Sequence, residues 1–274
     1  MSKNKIKIGL ALGSGGSRGF AHIGVLQELQ KAGIKIDLIS GSSIGSLVAA
    51  YFALYGQVDD LAAKMIDVSQ MNFWKFLDLR FRGGLLNQNK IANSLNDIIE
   101  DKEFKETIIP LNIVSTDLNS GQEYHFNKGS ILSAIQASCS IPFIFEPVTK
   151  KQYQLADGAL ANPVPVNVLK QMGADIIIAV NLYHQDEFNG THLNAASALF
   201  RSSRILLHHL AKEKCRLADI TIDVNTSDLV IAAGMKYLFS REDSLEAVNA
   251  GAQETQKNIG HIKKIIHKYH ESKA

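Results

Sequence analysis

Gly41-Ser42-Ser43-Ile44-Gly45 is a G-x-S-x-G pentapeptide standing between a short apolar run, Ile36 to Ile39, and a longer one, Leu47 to Tyr55. A strand, a sharp turn and a helix in that order would lift the Ser43 hydroxyl clear of the backbone as a nucleophile. The flanking Gly41 and Gly45 suit a tight, strained turn that a carbonyl substrate must approach closely. Thirty residues upstream, Gly13-Ser14-Gly15-Gly16-Ser17-Arg18-Gly19 follows the apolar segment Ile6 to Leu12 and precedes a helical pattern. Clustered glycines at a strand-to-helix junction leave N–H groups pointing outward at the positive end of a helix dipole, which favours an anion. In acyl transfer that anion is the tetrahedral oxyanion, and donors preorganised for it are usually the largest catalytic contribution.

A serine nucleophile needs a base. Asp157 in Leu155-Ala156-Asp157-Gly158-Ala159 ends another strand-like run, where it would project over the carboxyl edge of a sheet near Ser43. The competing reading is an Asp-Gly turn residue, and the pattern alone balances the two. An ordinary aspartate, with a pKa of about 3.9, is a poor base for a hydroxyl unless burial raises that value. His22 lies close to the glycine cluster and reads as a packing or helix-capping histidine before a catalytic one. His261, His267 and His270 sit in a lysine-rich helical pattern and read as solvated face. An α/β-hydrolase would carry its elbow deeper in the chain and its histidine on a late loop, and neither is present. Cys139 has no base beside it and reads as a small buried thiol.

The elements that must position these groups alternate. Strand-like runs lie at Ile6 to Leu12, Ile36 to Ser40, Leu111 to Thr116, Tyr153 to Ala156, Ile176 to Leu182 and Ile220 to Val224. Helical patterns lie at Phe20 to Ala32, Ile44 to Tyr55, Val58 to Val68, Asn89 to Ile99, Ser130 to Ala137, Val164 to Met172, Ala195 to Ala218 and Ser244 to His270. Nearly all-apolar strands alternating with helices predict an α/β fold, three layers α/β/α around a mainly parallel sheet, with ligands beyond the strands' carboxyl ends. Both glycine motifs then fall on one edge of the sheet.

At 274 residues and 46% hydrophobic, the chain reads as a single domain over 1–274 with no linker. A net charge of +2, from 29 basic and 27 acidic residues, points away from nucleic acid and towards an ordinary surface. Two cysteines outside any zinc-like spacing fit a reducing cytoplasm. Lys7 and the glycines interrupt any signal-peptide core, and Asp37 with the elbow breaks the one candidate span, so no transmembrane segment is expected. Met71 to Gly84 gathers Trp74, three phenylalanines, Arg80 and Arg82. It reads first as an aromatic cluster covering the sheet, with a lid or peripheral membrane contact as the alternative. Lys257, Lys263, Lys264 and Lys268 read as a solvated basic face.

Gly15 to Gly19, Ala21-His22-Ile23-Gly24-Val25-Leu26, the elbow around Ser43, Ala137-Ser138-Cys139-Ser140-Ile141-Pro142 and Asp157-Gly158-Ala159 together resemble the bacterial patatin-like phospholipases over roughly Ile6 to Val180. The resemblance implies a Ser-Asp dyad. Ser43 would be the nucleophile, Asp157 its direct base, and the N–H groups of Gly15, Gly16, Ser17 and Arg18 the oxyanion hole. The family's Asp-Gly-Gly is here Asp157-Gly158-Ala159, a small change. It also implies hydrolysis of phospholipid, lysophospholipid or simple carboxylic esters with no metal or other cofactor, in the cytoplasm or at the inner face of its membrane. A weakly catalytic regulatory or lipid-binding protein and an acyltransferase are the alternatives on the same fold. The side chain of Arg18 reads as structural, and oligomeric state is not encoded in these motifs.

Overall fold

The computed structural model describes residues 6–68, 95–142, 145–184, 195–226 and 241–272. The segment 71–84 lies outside the described residues. Five strands run parallel: β1 (Ile8–Leu12), β2 (Leu38–Ser42), β3 (Leu111–Asp117), β7 (Ile176–Asn181) and β8 (Ile220–Asp223). Three more run antiparallel: β4 (Glu123–Phe126), β5 (Val148–Lys150) and β6 (Tyr153–Ala156). The sheet order is β5-β6-β3-β2-β1-β7-β8, and β4 also pairs with β3. Every residue of β1, β2, β3 and β7 is buried. This burial on both faces is what nearly continuous apolar strands require.

Helices among the described residues include α1 (Ala21–Lys31), α2 (Ile44–Tyr55), α3 (Leu61–Val68), α4 (Ile131–Ser138), α5 (Val166–Gln171), α6 (Ala195–Cys215) and α7 (Arg241–Ser272). Helix α2 is apolar almost all round, and its first eleven residues are buried. Leu47, Val48 and Phe52 belong to the larger hydrophobic core with Leu10, Leu12 and Ile39 of the sheet. Each such side chain contributes about 1.5–3 kcal/mol by leaving water. Gly56 stops α2 in the left-handed conformation with φ 69°, returning its N–H to the Phe52 carbonyl at 2.9 Å. Helices α1 and α7 cross backbone to backbone. A Cβ on Gly24 would strike the Val248 carbonyl, and one on Gly251 would strike the Ala21 carbonyl. Among the described residues no helix is long and apolar enough to cross a membrane.

The mainly parallel sheet takes its antiparallel strands at the β3 side. Strand β6 enters antiparallel, with Leu155 opposite Asp117 and Ala156 opposite Thr116. Asp157 therefore does not sit at the carboxyl end of a parallel strand. It is delivered from beyond that edge by a strand running back toward the sheet.

Candidate functional site

The elbow forms because β2 ends at Ser42 and α2 begins at Ile44, leaving Ser43 alone to turn the chain with φ 52° and ψ −129°. A residue bearing a Cβ pays on the order of 1–3 kcal/mol for this region. The flanking glycines are there for room, not for φ. A Cβ on Gly41 would meet the Gly45 carbonyl at 2.5 Å and the Ser46 Cα at 2.6 Å, and one on Gly45 would strike the Leu12 and Gly13 carbonyls. Both glycines face protein, so the sequence expectation that they admit a substrate gives way to one of packing α2 onto β1 and β2.

The Ser43 hydroxyl donates to Asp157 Oδ2 at 2.7 Å. The other carboxylate oxygen, Oδ1, accepts the Ala159 N–H at 2.8 Å. The backbone of Asp157 is tied at both ends, its N–H to the Ser140 carbonyl at 2.9 Å and its carbonyl to the Thr116 hydroxyl at 2.9 Å. Asp157 is 4% exposed. Burial raises its pKa to about 6, against the opposing pull of the hydrogen bonds from Ser43 and Ala159. Gly158 presses on the Val114 carbonyl and the Ser42 hydroxyl, which a Cβ there would overlap. Gly158→Ala is expected to destabilise the fold by about 1–3 kcal/mol and to displace Asp157, seen as a lower melting temperature together with slower labelling of Ser43 by a fluorophosphonate.

Ser138, at the end of α4, went unassigned in the sequence. Its hydroxyl donates to the Val114 carbonyl at 2.6 Å and accepts the Ser43 N–H at 2.8 Å, so it props the strained turn from below. The signal was Ala137 to Pro142, a stretch that only the resemblance singled out. Cys139, beside it, lies against the Ser43 and Ser46 hydroxyls. Burial first, then the Asp157 charge, pushes its thiol far above the ordinary range, so it stays protonated.

The glycine loop lies across the same edge. Gly16 adopts φ 61° and opens a 3-10 helix, Gly16–Phe20, whose first N–H groups have no acceptor within it. Gly15 fits against Leu182, where a Cβ would come within 2.7 Å of the side chain. The Arg18 side chain is structural. Its Nε donates to the Gly15 carbonyl at 2.9 Å, Nη1 to the Leu182 carbonyl at 2.7 Å, and the guanidinium lies 4.8 Å over the Tyr183 ring. His22 is fully buried and contacts the Gly13 carbonyl at 2.7 Å, so it caps no helix. The structure thus gathers Ser43, Asp157, Gly41, Gly45 and the loop Gly15, Gly16, Ser17 and Arg18 at one edge of the sheet. His267, in α7, is 76% exposed.

Beside Ser43 opens an apolar pocket with a cavity volume of about 60 Å³. Among the described residues Gly16, Phe20, Ile44 and Leu47 line it beside the elbow and loop, together with Met65, Leu95, Ile98, Cys139, Ile141 and Phe145. An apolar lining next to a hydroxyl is of the kind that suits an acyl group.

Comparison with known proteins places the chain among relatives and a family. Over 177 residues the chain is 37% identical to an uncharacterised NTE family protein of Mycobacterium tuberculosis, covering 64% of this chain and 49% of the relative. It is 26% identical over 270 residues to the neuropathy target esterase sws of Drosophila melanogaster, covering 93% of this chain and 19% of that one. Patatin-like phospholipase domain-containing protein 7 of Rattus norvegicus is 29% identical over 195 residues, 69% of this chain and 14% of its own length. The chain therefore spans about half, or less than a fifth, of the relatives it matches. Among solved structures, VipD from Legionella pneumophila superposes with a TM-score of 0.54 at 13% identity, covering 93% of this chain and 67% of that one, a likeness of fold alone. The patatin-like phospholipase family model matches residues 10–170, a span that contains Ser43, Asp157 and the whole glycine loop. With more than half of its length inside that match, the chain belongs to the patatin-like phospholipase family.

Proposed function

We propose that the chain is a serine lipid acyl hydrolase that cleaves carboxylic esters of phospholipids, lysophospholipids or simpler acyl esters through an acyl-Ser43 intermediate. The observation that carries this reading is the 2.7 Å contact between Ser43 Oγ and Asp157 Oδ2 at the head of an apolar pocket. The substrate's acyl chain lies in that pocket with its carbonyl carbon over Ser43. Asp157, ionised, takes the hydroxyl proton as Oγ bonds to the carbonyl carbon. The oxygen of the tetrahedral intermediate accepts hydrogen bonds from the N–H groups of Gly15 and Gly16, with those of Ser17 and Arg18 behind them. Collapse expels the alcohol or lysolipid, which leaves with the proton held by Asp157. Water then attacks the acyl-serine, Asp157 again taking the proton; collapse breaks the bond between Oγ and the acyl carbon, Asp157 returns that proton to Ser43 Oγ, and the fatty acid departs.

The acyl pocket makes the reading testable by chain length. Nitrophenyl esters from acetate to decanoate, and phosphatidylcholine and lysophosphatidylcholine micelles, should all release acid, with kcat/KM rising with chain length. Met65→Trp fills the pocket away from Ser43. Losing about three buried methylenes at roughly 0.8 kcal/mol each predicts about a 50-fold fall with the long esters and little change with acetate. A flat chain-length profile, or acid release that survives Ser43→Ala, would remove the proposal.

A further inference from the structure

His22 is fully buried, and the carbonyl it touches belongs to the first residue of the glycine loop. That carbonyl is an acceptor only, so the proton of the imidazole is on Nε2. Nδ1 is then a buried acceptor with no hydrogen-bond partner. A desolvated, unpaired nitrogen costs stability that an apolar residue of the same size would not. The bond to Gly13 is what offsets that cost.

Gly13 is held from both sides. Its N–H goes to the Val180 carbonyl of β7 at 3.1 Å, and its carbonyl to His22 at 2.7 Å. The next residue is held as well, the Ser14 N–H by the Pro163 carbonyl at 2.8 Å and its hydroxyl by Tyr183 at 3.0 Å. The Gly13 carbonyl is also one of the two that seat Gly45. The His22 bond therefore lies where the glycine loop meets the elbow helix. Together His22 and Arg18 hold the carbonyls of Gly13 and Gly15, which keeps those oxygens from turning toward the place where an oxyanion would form.

We propose that His22 is a positioning residue, whose Nε2–H fixes the peptide planes from Gly13 to Gly16 so that the loop's N–H groups stay aimed at the carbonyl oxygen above Ser43. This rests on the reading of that loop as an oxyanion hole. His22 touches no reacting atom. Burial lowers its pKa to about 4, so it is uncharged through the usual assay range and exchanges no proton during turnover.

The test compares wild type, His22→Leu and His22→Gln for hydrolysis of a short nitrophenyl ester and for the rate of phosphonylation of Ser43, from pH 5.5 to 8.5, with thermal melting alongside. His22→Leu removes the donor and should lower kcat and the phosphonylation rate by about 10²-fold with KM within about threefold, as expected for a misplaced oxyanion donor. His22→Gln keeps an N–H donor and should recover at least about tenfold of that loss, with an unchanged pH profile. A folded His22→Leu whose kcat stays within about threefold of wild type would overturn the assignment. So would equal impairment of the two variants, or a limb of the pH profile that disappears with the imidazole. If wild type neither turns over esters nor is labelled at Ser43, the hydrolase reading fails instead. Amide exchange at Gly15 and Gly16 then decides the positional claim, which requires faster exchange in His22→Leu than in wild type or His22→Gln.

Discussion

Ser43→Ala is expected to lower turnover of a short nitrophenyl ester by about 10⁴-fold or more, as removal of a serine nucleophile does elsewhere. Fluorophosphonate labelling, stoichiometric in the wild type, should vanish with it. The fold should survive, because the substitution keeps the Cβ and removes one hydrogen bond to Asp157. Ser43→Gly is the informative companion. It is equally inactive, but it also relieves the backbone at φ 52° and should melt above Ser43→Ala by an amount corresponding to about 1 kcal/mol or more. Substantial activity in either variant would contradict the assignment of the nucleophile.

Asp157→Asn should be as inactive, and it should separate chemistry from stability. The base must be ionised to act, so wild-type kcat/KM should fall about tenfold per pH unit below the pKa of about 6 and level off above it. Stability carries the opposite sign. Between about pH 4 and 6 the folded protein keeps a proton on Asp157 that the unfolded chain has released. Stability therefore falls as pH rises through that window, by roughly 3 kcal/mol for a shift of about two units. His22 works against this. Its pKa is lowered from 6.5 to about 4, so between those values the unfolded chain holds the extra proton and stability rises with pH by a similar amount. The two nearly cancel in the wild type, and only the difference between wild type and Asp157→Asn isolates the carboxylate. That difference should favour the variant by several degrees in melting temperature at pH 8 and shrink toward zero near pH 4. A variant no more stable at pH 8 than at pH 4, relative to wild type, would mean that Asp157 is not the buried anion described here.

Much of this was legible in the sequence because it rests on periodicity and on glycine. The five parallel strands announced themselves as apolar runs, and α2 was read with its observed bounds, Ile44–Tyr55. Of the antiparallel strands, Tyr153–Ala156 was read with its observed bounds and the other two were not. Glu123–Phe126 is short and partly exposed. The β5–β6 hairpin turns at Lys151 and Gln152, with a lysine rather than asparagine or glycine taking φ 55°, so the usual turn signal is absent. Asp157 could be flagged near Ser43 from the end of its strand-like run, while the antiparallel direction of that strand carries no local signal. Distance in sequence hid the supports as well. Nothing near Ser43 in the chain points to Ser138, and nothing near Gly13 points to Val180, because both contacts come from strands and helices folded in from far away.

The crossing of α1 and α7 at Gly24 and Gly251 has a further implication. The family match stops at residue 170, whereas α7 spans Arg241–Ser272, so the last helix lies outside the matched region. Yet Gly251 rests on the carbonyl of Ala21, the neighbour of His22, with no room for even a methyl group between the two backbones. A graft of the matched region alone onto another carrier would keep Ser43, Asp157 and the glycine loop and lose the strut behind them.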